Sequence, residues 1–378
     1  MSDTYDNHKK YTYFITGGGT GGHIYPAVAI CDELKKDSET KEIYYVGNPK
    51  NLEFEITKKL GYKFLGVNVS GMPRKFGSKS IFWFFQLQFA IIKALFYIKK
   101  YKPNAVFGTG GYVSAPALFA AGLDGVPYMI HDSDAQPGIV SRYIAPSAKC
   151  VSLAFDSSKE FIISKNIHVN GNPIREEFKT VSKEEARQKL KLENKLTLCI
   201  MGGSQGAKSV NDAAVQILKK LSQEYNIQII FQTGKKNYEK TFFKLKEAYP
   251  DFEKDKNIIF KPYFDDMASV LKASDIAVSR AGSLSLSELC ACGVASILIP
   301  YPYAAADHQR KNAKYLVDKR AALYLEDADT TKDTLLIAIE QILDNPEKLK
   351  IMQNNAYSLA KLNATQDIVN QLKSIIFK

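Results

Sequence analysis

One pattern occurs twice in this chain and constrains its fold more than any other feature: a short strand-like run, a glycine-rich loop, then a helical run. The first copy reads Tyr11-Thr12-Tyr13-Phe14-Ile15-Thr16, then Gly17-Gly18-Gly19-Thr20-Gly21-Gly22-His23, with a helix predicted over Pro26–Leu34. The second reads Lys195-Leu196-Thr197-Leu198-Cys199-Ile200-Met201, then Gly202-Gly203-Ser204-Gln205-Gly206-Ala207, with a helix predicted over Val210–Leu221. Each copy opens one half of a chain of 378 residues. The repetition predicts two similar α/β domains. A hydrophobic share of 45% supplies enough apolar surface for two cores, and 11% aromatic residues argue against disorder.

Short β-rich runs recur between helical patterns: Ile43–Val46, Ala105–Phe107, Tyr128–His131, Ile227–Gln232, Ile258–Phe260, Ile276–Ser279 and Ser296–Pro300. Strands that alternate with helices predict parallel sheets joined by crossover connections. Gly171-Asn172-Pro173 breaks regular structure, and a charged helical stretch, Lys183–Leu192, follows it. The domain boundary is expected near there.

The glycines point to anions. Glycine permits positive φ and lets backbone N–H groups approach a ligand, and the helix start behind the loop carries unpaired donors and partial positive charge. A third cluster, Phe107-Gly108-Thr109-Gly110-Gly111-Tyr112, also follows a strand. Three such loops suggest a phosphate-rich ligand, although a single one is often only a tight turn. The loop at 17–23 lacks the acidic residue of a dinucleotide site at the end of its second strand, since Glu42 stands at that strand's beginning; no glycine loop holds a Gly-Lys-Ser/Thr. Dehydrogenase and P-loop NTPase readings weaken accordingly.

In the second half, Ser279-Arg280-Ala281-Gly282-Ser283-Leu284-Ser285-Leu286-Ser287-Glu288 follows a strand. Ser283 is predicted as the N-cap of a helix with Glu288 in its early turns, next to an arginine, which would make a diphosphate seat. Glu288 could accept both hydroxyls of a ribose, or act only as a capping and dipole residue. Asp307-His308-Gln309 offers acceptors for sugar hydroxyls, or is an ordinary polar loop with a helix cap.

A formal net charge of +11 suits nucleic acid, anionic lipid or a phosphorylated substrate. The five scattered cysteines fit reduced thiols in a cytoplasmic protein; Cys290 and Cys292, two apart on a helix, read as packing rather than metal ligands. Met1–Lys10 has no apolar stretch, so no secretory signal is expected.

Taken in order, Gly18-Gly19-Thr20-Gly21-Gly22-His23, Gly110-Gly111-Tyr112-Val113-Ser114, Gly202-Gly203-Ser204-Gln205-Gly206-Ala207, Ser283–Glu288 and Asp307-His308-Gln309 resemble the MurG family, from about Tyr13 into the C-terminal region. That family transfers N-acetylglucosamine from UDP-N-acetylglucosamine to lipid I, an undecaprenyl-linked acceptor, with inversion and a β-1,4 link to N-acetylmuramic acid, forming lipid II for peptidoglycan. The resemblance implies a GT-B fold, two Rossmann-like domains facing across a cleft. It implies an acceptor- and membrane-binding domain at 1–172, a donor-binding domain at 173–361, and a last helix at about 362–378 that packs back on the first domain.

The resemblance also implies roles. Glu288 would hold the ribose hydroxyls, and Phe264, in Tyr263-Phe264-Asp265-Asp266-Met267, would pair its backbone with uracil. Ser204 and the Ser283 helix start, with Leu284 and Ser287, would sit near the diphosphate. Gln309 would read the donor sugar, and Arg175 matches a donor-site arginine. Gly18, Gly19, Gly110, Gly111 and Tyr112 would take the acceptor's diphosphate, with Thr20, Gly21 and Gly22 also close to the donor sugar. Many members carry His-Glu-Gln-Asn where this chain has His131-Asp132-Ser133-Asp134, which leaves Asp134 as either a sugar contact in the donor site or part of the proton path.

An inverting transfer is a single displacement and needs a base for the acceptor hydroxyl. His23, at the loop's end, is the first candidate, and Asp134 is its rival. His23 could instead only cap its helix or hold a hydroxyl. The leaving diphosphate would meet a helix start and Arg175 or Arg280. No Asp-x-Asp metal pair is read at a strand end, so no obligatory metal and no cofactor are expected.

Ile81–Ile98 is apolar nearly all round, is interrupted by Gln86, Gln88 and Lys93, and is flanked by Arg74, Lys75, Lys79, Lys99, Lys100 and Lys102. A Rossmann helix covers its sheet with one stripe only. The surplus face, drawn from Trp83, Phe84, Phe85 and Phe96, is expected to be exposed and to rest on the anionic cytoplasmic face of the cell membrane. The competing readings are a fully buried helix or a dimer contact. Cell-wall synthesis proteins are allowed as further partners and nucleic acid is not expected, because the basic residues are dispersed. The rival functions are a UDP-N-acetylglucosamine 2-epimerase, another glycolipid transferase, and a UDP-sugar sensor that binds without turnover.

Overall fold

The structure is a computed structural model that describes residues 10–73, 77–203 and 205–377. Arg74, Lys75 and Ser204 lie outside the described residues. The chain divides into two units, Met1–Ile174 with Asn363–Lys378, and Arg175–Leu362.

The first unit is built on β1 (Tyr11–Thr16), α1 (Gly21–Lys36), β2 (Thr40–Gly47), α2 (Leu52–Lys59), β3 (Lys63–Gly66), α3 (Ser78–Tyr101), β4 (Ala105–Gly108), α4 (Ala115–Asp124), β5 (Tyr128–Asp132), α5 (Ile139–Ile144), β6 (Cys150–Leu153) and β7 (Ile167–Val169). Its sheet has the order β3-β2-β1-β4-β5-β6-β7, with every pair parallel. All six residues of β1 are buried, as a strand covered by helices on both faces requires. Alternation assigns its side chains. Phe14 joins the core under α3 and α4, whereas Tyr13 and Ile15 join the core under α1.

The second unit begins with α6 (Glu177–Thr180) and α7 (Lys183–Leu190), the latter started by a Ser182/Glu185 capping box. It continues with β8 (Thr197–Met201), α8 (Lys208–Gln223), β9 (Gln228–Gln232), α9 (Tyr238–Ala248), β10 (Ile258–Lys261), α10 (Met267–Ala273), β11 (Ile276–Ser279), α11 (Ser283–Cys292), β12 (Ala295–Leu298), α12 (His308–Asp318), β13 (Ala322–Tyr324), α13 (Lys332–Leu343) and α14 (Pro346–Ser358). The parallel sheet order is β10-β9-β8-β11-β12-β13. The last helix, α15 (Ala364–Ser374), belongs to the first unit. Its Ile368, Val369 and Leu372 pack with Ile24, Ile30 and Leu34 of α1, and Lys373 pairs with Asp37 at 2.5 Å and Glu39 at 2.6 Å.

In each unit the strand order reverses beside the first strand, between β1 and β4 and between β8 and β11. Loops at the carboxyl ends of these neighbours diverge and leave a crevice where ligands bind in open α/β sheets. The three glycine loops and the serine cluster of the sequence follow β1, β4, β8 and β11 respectively.

Two helix starts differ from expectation. The first helix begins at Gly21, not Pro26, because the Thr20 carbonyl already accepts the amides of His23 and Ile24, each at 3.1 Å. Pro26 therefore sits inside the helix. In α11 the N-cap is Gly282, so Ser283 is the first helical residue rather than the cap.

α3 is long and apolar enough to cross a membrane by length and composition alone. It instead packs on the sheet through Ala90, Ile91, Ala94 and Ile98, a single stripe. The opposite face is open: Phe82 is 72% exposed, Phe89 70% and Phe96 60%, and Phe84 and Phe85 are exposed beside them. The helix is therefore not a fully buried one. Trp83 stands apart, half-buried, with its indole N–H donating to the Ser70 carbonyl at 2.9 Å.

Candidate active site

In the first unit the loops after β1 and β4 are pressed together. A Cβ added to Gly17 would lie 1.9 Å from the Thr109 hydroxyl, and one added to Gly111 would lie 2.6 Å from the Gly18 carbonyl oxygen. Gly111 also has φ +73°, so both backbone shape and space require glycine there. The Tyr45 hydroxyl donates to the Gly17 carbonyl at 2.6 Å. The Gly19 amide donates to Glu53 at 3.1 Å, and the other oxygen of that fully buried carboxylate takes the Asn48 amide at 3.2 Å. Gly19 thus spends its N–H inside the protein. In this loop, the amides of Gly21 and Gly22, in the first turn of α1, are placed to meet an anion. Tyr112 packs its ring over Gly19 and accepts a hydrogen bond from Asn51 at 3.0 Å.

His23 lies where the two loops meet. Its Nδ1 is 3.0 Å from the Thr109 carbonyl oxygen. A carbonyl only accepts, so Nδ1 carries the proton and Nε2 presents the lone pair. The Thr109 hydroxyl in turn donates to the His23 carbonyl at 2.6 Å.

β5 delivers the third part of this half-site. His131 is fully buried, and burial pushes its pKa down to about 4, so it is neutral at physiological pH. Asp132 is also buried; burial, and then the charge of Asp134, push its pKa up to about 6. Ser141, the Gly138 amide and His23 act in the opposite direction. Asp132 accepts the amides of Gly138 at 3.0 Å and of Asp134 at 3.2 Å. Asp134 is half-buried, and its carbonyl accepts the Ser158 hydroxyl at 2.9 Å. An Asp-x-Asp pair does therefore stand at a strand end, Asp132-Ser133-Asp134, contrary to the sequence reading. Asp132 is occupied by backbone amides, and among the described residues no group of three potential metal ligands occurs.

In the second unit, the loop after β8 is packed against the loop after β9: a Cβ on Gly206 would meet the Thr233 carbonyl at 2.1 Å. Phe264 is buried, and its amide donates to Gln232 at 2.9 Å, so only its carbonyl remains to meet a base. α11 presents its first amides at Ser283 and Leu284, with Ser287 one turn on, its hydroxyl donating to the Ser283 carbonyl at 3.1 Å. Glu288 follows, half-buried. Burial pushes its pKa up to about 7, and the positive charge of Arg175 pulls it back. Among the described residues no hydrogen-bond donor reaches this carboxylate. Arg175 is exposed, with its guanidinium 5.1 Å from the Phe178 ring.

Two second-unit residues are less free than the sequence suggested. Arg280 pairs with Asp327 at 2.6 Å and donates to the carbonyls of Ile299 and Pro300 at 3.1 and 3.2 Å. It is a structural tie, not a spare charge for a leaving group. Gln309 accepts the Tyr301 amide at 2.9 Å through its side-chain oxygen, which leaves its NH₂ for a sugar. Just before it, Ala306 and Asp307 hold φ of +50° and +56°, a strained bend of the kind found at ligand-binding turns.

Residues 13–153 match the N-terminal domain of glycosyltransferase family 28, and residues 197–372 match its C-terminal domain. Over 364 residues the chain is 40% identical to the UDP-N-acetylglucosamine–N-acetylmuramyl-(pentapeptide) pyrophosphoryl-undecaprenol N-acetylglucosamine transferase of Desulforamulus reducens, covering 96% of this chain and 98% of that one. The chain belongs to the MurG family. The protein of the same name from Bacillus pumilus is 36% identical over 96% of this chain and 98% of its own. The crystal structure of Acinetobacter baumannii MurG superposes with a TM-score of 0.77 at 28% identity, covering 97% of this chain and 99% of that one. As in the MurG family at large, the fold is of the GT-B class. A UDP-GlcNAc 2-epimerase from Neisseria meningitidis shares that fold, with a TM-score of 0.66 at 15% identity over 97% of this chain and all of that one, and the likeness is of fold alone.

Within this MurG member, the first unit brings together Gly18, Gly19, Thr20–His23, Gly110–Tyr112 and Asp134, and the second places Arg175 in electrostatic reach of Glu288. Glu53 and Asn172 were not among the expected residues. Glu53 reads locally as an acidic first-turn residue of α2, and its partner Gly19 is 34 positions away, so no local pattern reveals it.

Proposed function

We propose that this protein transfers N-acetylglucosamine from UDP-N-acetylglucosamine to the C4 hydroxyl of N-acetylmuramic acid in lipid I, with inversion, to form lipid II. The observation that carries the substrate assignment is the 40% identity, across 96% of the chain, to a transferase of that name. The geometry supports the chemistry. His23 Nε2 takes the proton of the C4 hydroxyl as that oxygen attacks the anomeric carbon and the bond to the UDP oxygen breaks. The proton stays on His23, and Asp134 favours the resulting imidazolium by its negative charge. The charge appearing on UDP is met by the first-turn amides of α11 and by Arg175. Glu288, which no donor reaches among the described residues, accepts the ribose hydroxyls. The amides of Gly21, Gly22, Gly110 and Gly111 receive the acceptor's diphosphate.

The exposed face of α3, with Lys79, Lys99 and Lys100 at its ends, docks on the anionic cytoplasmic face of the membrane, where a lipid-linked acceptor is reached. On this reading the protein works in the cytoplasm, peripheral to the membrane.

The test is to incubate purified protein with radiolabelled UDP-N-acetylglucosamine and a lipid I analogue and count label in the lipid fraction. Transfer is expected. Donor binding without transfer, with an acceptor verified on another family member, overturns the reading.

A further inference from the structure

α15 is joined to the end of β5 by an unbroken chain of side-chain hydrogen bonds. Gln371 and Asn170 form a reciprocal amide pair: Asn170 Nδ2 donates to Gln371 Oε1 at 2.8 Å, and Gln371 Nε2 donates to Asn170 Oδ1 at 3.1 Å. Asn170 Nδ2 also donates to Ser152 Oγ at 3.0 Å. Ser152 Oγ lies 3.0 Å from His131 Nδ1, and His131 Nε2 lies 3.0 Å from Asn172 Oδ1. Asn172 Nδ2 donates to the Ser133 carbonyl at 3.2 Å. His131, Ser152, Asn170 and Asn172 are all buried.

The direction of every proton in this chain follows from one end. The Ser133 carbonyl can only accept, so Asn172 turns its NH₂ toward it and its oxygen toward His131. His131 must then carry its proton on Nε2, which leaves Nδ1 as an acceptor. Ser152 donates to Nδ1, so its oxygen can accept from Asn170. Asn170 uses one amide hydrogen there and the other on Gln371, and its own oxygen is satisfied by Gln371 in return. Reversing any one link leaves a buried donor facing a donor, or an acceptor facing an acceptor, and buried networks of this kind are costly when partly satisfied.

We infer that Gln371 is a positioning residue for the transfer reaction: through Asn170, Ser152, His131 and Asn172 it fixes the backbone of the 132–134 segment, and with it the Asp134 side chain. The proposal rests on the transferase reading above. The last helix is thus more than a cover for the core. It closes a relay whose polarity is set at the Ser133 carbonyl and whose far end is the segment that carries Asp132 and Asp134.

The test compares wild-type protein with Gln371→Met, which keeps the side chain's length and loses both amide links, and with the exchange Asn170→Gln/Gln371→Asn, which restores a reciprocal pair. Three quantities are read: kcat with a lipid I analogue, donor affinity by calorimetry, and the tautomer of His131 by nitrogen-15 spectra of histidine-labelled protein. Gln371→Met is expected to lower kcat by about tenfold or more, since small displacements near reacting groups have effects of that size. It should shift the melting temperature by only a few degrees and leave donor affinity unchanged, and His131 should keep its Nε2–H tautomer, which the Ser133 carbonyl sets through Asn172; the exchange variant should recover kcat. A Gln371→Met protein with wild-type kcat, one whose donor affinity falls along with kcat, an exchange variant that does not recover kcat, or a wild-type His131 that carries its proton on Nδ1 overturns the inference. If wild-type protein itself fails to transfer, the function reading is at fault, and the His131 signal still reports whether the relay exists.

Discussion

The imidazole of His23 holds its Nδ1 against the Thr109 carbonyl at 3.0 Å, which fixes the tautomer and leaves the lone pair on Nε2. A helix-capping histidine would not need that tie. His23→Asn keeps a donor for Thr109, because its Nδ2 stands where the imidazole Nδ1 does, and removes the base, so kcat should fall by roughly 10²–10⁴-fold while donor binding and melting temperature stay near wild type. Steady-state kinetics and a thermal scan decide it. A His23→Asn enzyme within a few-fold of wild type would return the base role to Asp134.

Glu288 links stability and function with opposite signs. Its carboxyl is pushed up to about 7 by burial. An acid whose pKa is higher in the folded than in the unfolded state holds the fold back as pH rises from the unfolded value toward the folded one, and the penalty is complete above 7. Glu288→Gln should therefore raise the melting temperature of the unliganded protein at pH 8, with the gain shrinking toward pH 5. The same change should weaken UDP binding at pH 8 by removing the ionised acceptor, and should flatten its decline on acidification. Equal melting temperatures for the two proteins at both pH values would refute the burial argument.

Gly111 tests the contact between the two loops of the first unit. Alanine there meets the Gly18 carbonyl at 2.6 Å in a positive-φ conformation. Gly111→Ala should abolish lipid I transfer and cost about 1–3 kcal/mol, yet leave calorimetric UDP binding intact, since the residues proposed to hold the uridine and its diphosphate belong to the other unit. Gly61→Ala is the control, with positive φ and nothing within 4 Å. If both variants transfer alike, steric closure of the loops is not what glycine provides.

Arg280 and Arg175 should part company. Breaking the Arg280–Asp327 pair, half-buried at 2.6 Å, with Arg280→Ala should destabilise the protein by about 3 kcal/mol or somewhat less. Arg175→Ala should barely change the melting temperature and should lower kcat/KM for the donor. Denaturant titrations and donor kinetics of the two variants distinguish a structural from a ligand-facing guanidinium.

The open face of α3 predicts a lipid preference. Phe82→Ser/Phe89→Ser/Phe96→Ser should abolish co-sedimentation with vesicles containing anionic lipid, while transfer to a soluble, short-chain acceptor persists. Trp83→Phe should bind vesicles as well as wild type does, because that indole faces Ser70. Undiminished sedimentation of the triple variant would turn attention to the dimer reading of this face.

Much of the architecture was legible because glycine and alternation leave local marks. The strand runs at 105–107, 128–131 and 276–279 match β4, β5 and β11, and the glycine loops stand at the carboxyl ends of strands that flank the two reversals of order. What escaped was pairing over distance. Arg280 reads as a neighbour of the Ser283 helix start, yet its partner is Asp327. Glu53 and Gln371 look like ordinary helix residues until Gly19 and Asn170 come to face them. Pro26 misled for a different reason: proline marks a first helical turn by habit, whereas here two glycines and the Thr20 carbonyl start the helix earlier.

Chain order gives α15 one more consequence. The core that Tyr13, Ile15 and Phe107 share with Ile368, Val369 and Leu372 belongs to the first unit, but its last members are synthesised after the whole second unit. During translation the second unit can finish folding while the first still waits with its α1-side core only partly covered, reversing the usual vectorial order. A ribosome that stops before residue 364 releases a chain whose second unit is complete and whose first unit exposes an apolar groove, a natural mark for chaperones and proteases.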